Sequence, residues 1–197
     1  MKRTIPFLIL SLIAVPGFSQ MAPRDTAMTH VSGKTVSVEY GRPSLKGRNI
    51  TNLTSKLGPD RIWRAGSEQV TTFSTEANLR IGDQLIKAGK YSLYLHCPEN
   101  GAYSLILNKV LGQPLGNIWD SAPEELASEP WPHYNYNEEI ADKEVARIPL
   151  KRRSSPKSVE LLTYAFKQNG KYATLKIAWG NDTWTTNVAF AMMEGSH

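Results

Sequence analysis

The sequence predicts an all-β protein, an antiparallel β-sandwich or flattened barrel with one long, mostly irregular excursion. Three observations carry this expectation: a hydrophobic period of two from Thr35 onward, turn clusters at short intervals, and no helical segments alternating with the strands. Val36, Val38 and Tyr40 alternate with Ser37 and Glu39, the pattern of a half-buried strand. Val70 to Thr75 is rich in β-branched residues around Phe73. Leu79 and Ile81 lead through Gly82-Asp83 into Leu85 and Ile86, a short hairpin turning on the glycine.

Tyr91 to His96 and Tyr103 to Leu107 flank the turn cluster Pro98-Glu99-Asn100-Gly101 and predict a second antiparallel pair. Val145 to Leu150 supplies another strand. Val159 to Phe166, Tyr172 to Trp179 and Trp184 to Phe190 follow, with turns expected at Asn169-Gly170 and at Gly180-Asn181-Asp182. Lys151-Arg152-Arg153 with Lys157 reads as a solvated basic loop. Gly112 to Glu139 carries Pro114, Pro123, Pro130 and Pro132 and is the expected excursion, with a turn or two of helix at Ala122 to Ser128.

Ahead of the domain, Lys2 and Arg3 precede an apolar run from Ile5 to Val15, and Gly17 and Ser19 are small residues two apart. This is the pattern of a secretory signal peptide over residues 1–19, with cleavage after Ser19. The run falls short of the roughly 20 residues that cross a bilayer, so no transmembrane segment is expected. The sequence then divides into the leader, a flexible segment at 20–34 and a single β-rich domain at 35–197, exported to the periplasm or outside the cell. Without the leader, 21 basic side chains face 18 acidic ones, a net charge of +3. That is not the concentrated basic field of a nucleic-acid binder.

Cys97 is the single cysteine, which excludes an intramolecular disulfide. Its place at a strand end before Pro98 reads as a small apolar filler. His30, His96, His133 and His197 show no pair at ligand spacing, so neither a metal nor a cofactor is expected. No Gly-x-Ser-x-Gly elbow is present.

Five ordered blocks carry a family resemblance: Tyr40-Gly41-Arg42-Pro43-Ser44-Leu45-Lys46-Gly47-Arg48, Ile62-Trp63-Arg64-Ala65-Gly66, Thr71-Thr72-Phe73, Ala88 to Leu93, and Ile106-Leu107-Asn108-Lys109. Together they resemble the exported bacterial proteins catalogued as domain of unknown function 2911. The resemblance implies a β-rich fold and no assigned reaction. The chain departs from that pattern at Glu68 and Gln69, where relatives tend to carry asparagine and glutamate.

Arg42, Arg48 and Arg64, with Trp63 beside the last, form the preferred candidate site for a small polar or anionic molecule or a cell-envelope component. Guanidinium groups bind carboxylate, phosphate or sulfate through planar paired hydrogen bonds. Glu68 joins this set, and Thr72 and Lys109 are secondary candidates from the resembling blocks. A purely structural account is also open, in which Arg42 and Arg64 tie loops to sheets through backbone carbonyls or through Glu39 and Glu68. Two alternatives stand beside binding. One is an envelope hydrolase using Glu68 with arginine stabilisation. The other is a carbohydrate-binding surface of Trp131, Tyr134 and Tyr136, whose rings offer stacking area.

Overall fold

The computed structural model describes residues 22–31, 33–133 and 135–191. The expected leader at 1–19 and Tyr134 therefore lie outside the described residues. In chain order the elements are β1 (Arg24–Val31), β2 (Lys34–Gly41), α1 (Ile50–Thr54), β3 (Ile62–Trp63), β4 (Thr72–Thr75), β5 (Leu79–Ile81), β6 (Gln84–Ile86) and β7 (Gly89–His96). Then come β8 (Ser104–Asn108), β9 (Gln113–Pro114), a 3-10 turn (Leu115–Asn117), α2 (Glu124–Ala127), β10 (Pro130–Trp131), α3 (Glu138–Ala141), β11 (Glu144–Pro149), β12 (Lys151–Asn169) and β13 (Tyr172–Phe190).

The larger sheet has the order β1-β2-β4-β7-β8-β11, with β3 added beside β7, and the smaller has the order β12-β13-β5-β6. All pairings are antiparallel, and the sheets do not close into a barrel. Between them lies a core in which Val36, Val38, Tyr40, Phe73, Leu93, Leu95, Leu105 and Leu107 meet Leu79, Ile81, Leu162, Tyr164, Leu175, Ile177, Trp179 and Trp184. The alternation read from the sequence is this inward-facing set.

Two local expectations are corrected. Residues 20–34 were expected to be a flexible lead-in, yet Arg24–Val31 pairs along its whole length with β2. It carries few strongly apolar side chains, because an edge strand needs only one covered face. Lys151 to Lys157 belongs to β12, so its basic side chains stand on a strand and not on a loop. The expected reversal at Gly180-Asn181-Asp182 is present, but inside the strand span β13: the Thr174 hydroxyl reaches Asn187 Oδ1 at 3.1 Å across it, and the register with β12 shifts there, with the surplus residues on β12 between Ser154 and Thr163. Gly180 has φ +60, and the buried series changes from odd positions (Leu175, Ile177, Trp179) to even ones (Trp184, Val188) across it, as facing limbs of a reversing chain require.

The Gly82-Asp83 hairpin is present, with Ile81 opposite Gln84. At the other hairpin Asn169 pairs with Tyr172, so the turn residues are Gly170 and Lys171, one step later than expected. Only Gly170, at φ +63, is left-handed there.

The excursion covers the outer face of the larger sheet. Facing residues Glu39, Thr72, Ser92, Asn108 and Glu144 run in register across five strands and form a polar row on that face. Asn108 is fully buried: its amide donates to the Ile140 carbonyl at 2.6 Å and the Tyr136 hydroxyl at 3.0 Å, while its oxygen accepts the Val110 N–H at 2.8 Å. The Tyr136 hydroxyl in turn donates to Glu144, which also holds Arg147 through two nitrogens. Asn137 caps α3 by accepting the Ile140 N–H. Val70 N–H to Pro130 O and Gln69 Nε2 to Glu129 Oε2, both 2.9 Å, fasten the other end of the excursion. No helix among the described residues is long and apolar enough to cross a membrane.

Candidate functional site

The short strand β3 determines where the candidate arginine points. Side chains alternate along an extended chain, so Ile62 and Arg64 emerge on one face and Trp63 on the other. Trp63 stacks on Trp179 at 5.2 Å between ring centroids, with the planes 9° apart, and belongs to the edge of the core. Ile62 and Arg64 instead line a cleft of about 430 Å³ between the loop at 56–60 and His133 with residues 135–137 of the excursion. Lys56, Asp60, Tyr94, His133, Asn135 and Asn137 complete its polar lining, and Leu57, Pro59 and Tyr136 give it an apolar side.

Arg64 is half-buried and has no carboxylate or hydrogen-bond partner among the described residues. Two further groups at the cleft are buried without a partner of good geometry, the Tyr94 hydroxyl and His133 Nε2. Tyr94 leans edge-on against Tyr136 at 5.0 Å. Burial raises its phenol above the ordinary range, a shift tempered by the His133 main chain and the Ser92 hydroxyl, so Tyr94 stays neutral and able to donate. Asp60 is partly engaged by the Ile62 N–H at 3.2 Å. Counting Lys56, Arg64 and Asp60, the lining carries one net positive charge.

The backbone on both sides of Arg64 is held in a costly conformation. Arg61, Ala65 and Glu68 all have left-handed φ, at 55°, 55° and 60°. Such positions cost on the order of 1–3 kcal/mol each and persist where surrounding contacts determine them. Here the Ala65 carbonyl accepts the buried Tyr164 hydroxyl at 2.9 Å and the Thr71 hydroxyl at 3.2 Å. The turn that follows lets the chain leave β3 and return as β4 beside the same neighbour, β7.

The other candidates separate from Arg64. Arg42 and Arg48 line a different groove, with Lys46, Ser67, Glu68 and the chain at Ala22 and Pro23. Arg42 donates to the Leu162 carbonyl at 3.2 Å and the Thr163 hydroxyl at 3.1 Å, and pairs with Asp25 at 3.3 Å. Arg48 donates to the Leu45 and Ser44 carbonyls at 2.8 and 3.1 Å. Arg42 therefore follows the structural account given to it above, Arg64 does not among the described residues, and Arg48 is engaged in the same manner as Arg42. The Glu68 carboxylate accepts the Ala22 N–H at 2.7 Å. The three guanidinium groups do not share one mouth.

Thr72 is buried in the polar row, and Lys109 is exposed while its own N–H binds the Lys143 carbonyl. Trp131 is half-buried, and Tyr136 is tied through its hydroxyl to Asn108 and Glu144, so these two do not form an open stacking platform. At the departure from the family pattern, Gln69 donates to Glu129, and a glutamate there would place two carboxylates at the same 2.9 Å.

Tyr94, His133, Asn135 and Asn137 are members of the cleft that sequence reasoning missed. The alternation of Tyr94 with Leu93 and Leu95 marks it as facing away from the main core, but nothing in the sequence shows what covers that face. No group of three or more His, Cys, Asp or Glu side chains suited to a metal occurs among the described residues. Cys97 is fully buried, and burial pushes its thiol up to about 12. The native protein at pH 8 is accordingly expected to resist a disulfide-exchange reagent that reacts at once after unfolding. Rapid native labelling would contradict that.

No curated protein and no solved structure matches the chain. The family model for a protein of unknown function, DUF2911, matches residues 22–188, spanning both sheets, the excursion and the Arg64 cleft, and the chain belongs to that family.

Proposed function

We propose that this is an exported binding protein that takes a small organic monoanion in the Arg64 cleft. The observation that carries the reading is Arg64 itself, a half-buried guanidinium in a concave site with no counter-charge among the described residues. A guanidinium not engaged by the protein presents two parallel N–H donors matched to a carboxylate. The net charge of +1 favours a monoanion, and the apolar side formed by Leu57, Ile62, Pro59 and Tyr136 favours one with a carbon body. A volume of about 430 Å³ suits such a molecule. The sequence pattern of a leader at residues 1–19 supports the exported part of this reading.

The test is thermal unfolding of residues 20–197 with acetate, benzoate, citrate or phosphate added. Benzoate at about 100 times its Kd should add roughly 2.7 kcal/mol of stability. Arg64→Ala should remove that gain, whereas Arg42→Ala should keep it. A benzoate response that survives Arg64→Ala, or no response to any of the four anions, would overturn the reading.

A further inference from the structure

The outer face of the smaller sheet carries no excursion, and its charges are sorted by sign. Alternation turns Leu175, Ile177, Trp184 and Val188 of β13 inward, so Tyr172, Thr174, Lys176, Thr183, Thr185 and Asn187 point outward. The Thr174 hydroxyl meets Asn187 at 3.1 Å, which brings the two limbs of β13 side by side on this face. Next to them, Lys167 stands opposite Thr174, Lys151 opposite Thr185 and Arg153 opposite Thr183. Arg80 of β5 pairs with Leu85 of β6, and both point outward because Leu79, Ile81 and Ile86 beside them are buried.

Five exposed cations, Arg80, Lys151, Arg153, Lys167 and Lys176, therefore share one sheet face, and none is in an ion pair among the described residues. The carboxylates of the same strands are turned elsewhere. Asp182 is buried and accepts from Arg152 at 2.9 and 3.0 Å, while Glu160 accepts from the Ser44 hydroxyl and the Lys46 N–H at the margin of the sheet. Counting Asp83 in the turn between β5 and β6, the face carries a net charge of +4, against +3 for the whole chain without its leader. Solubility is served by both signs interspersed, whereas a field of one sign attracts an opposite partner.

The shape of the face narrows the choice of partner. It is a broad sheet and not a groove, and Leu85 and Tyr172 expose 55% and 41% of their surface on it. Cations spread in two dimensions, with exposed apolar side chains among them, match a layer of headgroup phosphates over hydrocarbon better than one strand of a linear polyanion. We infer that this face docks on an anionic lipid surface, with its five cations among the headgroup phosphates and Leu85 and Tyr172 entering the interface. The excursion and the Arg64 cleft lie on the outer side of the other sheet, so a docked molecule presents the cleft to solvent.

The experiment is co-sedimentation of residues 20–197 with vesicles of phosphatidylcholine alone, or of equal parts phosphatidylcholine and phosphatidylglycerol. The protein is expected to pellet only with the vesicles that contain phosphatidylglycerol, and to be released as salt is raised. Lys167→Gln with Lys176→Gln should weaken that binding about 25-fold, at about fivefold for each lysine near the surface. Lys90→Gln with Lys143→Gln, which removes the same charge beside the larger sheet, should bind like the wild type. Leu85→Ser should weaken binding and leave its salt dependence as it was. Every substituted side chain is exposed, and an unchanged Tm checks that each variant folds. The inference is overturned if the wild-type protein does not pellet with phosphatidylglycerol, if the two lysine pairs lose binding equally, or if duplex DNA of matched charge strips the protein from the vesicles, since a linear polyanion is then the better partner. Benzoate plays no part in these measurements, so failure here leaves the Arg64 reading to its own test.

Discussion

Asn108→Leu is expected to destabilise the protein by roughly 3–5 kcal/mol, since it keeps the side-chain volume and leaves buried polar groups without partners. Asn108 satisfies the Ile140 carbonyl, the Val110 N–H and the Tyr136 hydroxyl at once. Leucine supplies none of these bonds, and Asn108 and Ile140 are both buried. For a chain of this size the loss corresponds to a fall in Tm of roughly 10 °C. Because Ile140 and Tyr136 anchor one end of the excursion, limited proteolysis should cut within 112–141 before global unfolding in the variant and not in the wild type. A Tm within about 2 °C of wild type would show that the excursion is held by its apolar contacts alone.

Gly41→Ala is the second large effect. A Cβ at Gly41 would fall against the carbonyl oxygen of Ser67 and lie 2.7 Å from its hydroxyl oxygen. The first of these is backbone, which cannot swing aside as a flexible side chain would. Gly41 closes β2 where the strained 61–68 turn passes over it, so the methyl group must push that turn outward. Overpacking of this kind costs about 1–3 kcal/mol, and pushing the turn outward also strains the bonds that the Tyr164 and Thr71 hydroxyls donate to the Ala65 carbonyl. The same displacement should weaken benzoate in the Arg64 cleft, because Arg64 opens the turn. Unchanged Tm together with unchanged benzoate affinity would show that the turn moves freely.

The two stacked sheets were legible because burial on one face leaves a period-two record in the sequence, seen in Val36-Val38-Tyr40 and Leu93-Leu95. Gly180-Asn181-Asp182 carries the composition of a turn, and parity agrees with it: the apolar series of β13 changes from odd to even positions across Gly180 as the chain turns back, so that Thr174 meets Asn187. The same rule explains what was misread. β1 was missed because Thr26, Thr29 and His30 alternate no strong hydrophobic signal, and its pairing with β2 comes from a partner strand rather than from its own residues.

The candidate site was only partly legible. That Trp63 and Arg64 point opposite ways follows from adjacency on a strand, and this alternation sends one into the core and the other into the cleft. The proline beside Arg42 marks a strand exit, and its guanidinium closes that exit on Leu162, a residue 120 positions away. Likewise Tyr94 and His133 meet Arg64 because β3 lies beside β7 and the excursion folds back across the outer face. Neither relation leaves a trace in local spacing.

The central claim is that Arg64, and not the Arg42–Arg48 groove, receives an organic anion. Crystals of residues 20–197 soaked in 4-bromobenzoate and measured at the bromine absorption edge test it most directly. The expected result is an anomalous peak inside the cleft bounded by Lys56, Tyr94 and Asn135, with the carboxylate on the Arg64 guanidinium. A peak confined to Arg42 and Arg48, or a fully soaked crystal with no ordered bromine, would contradict the claim.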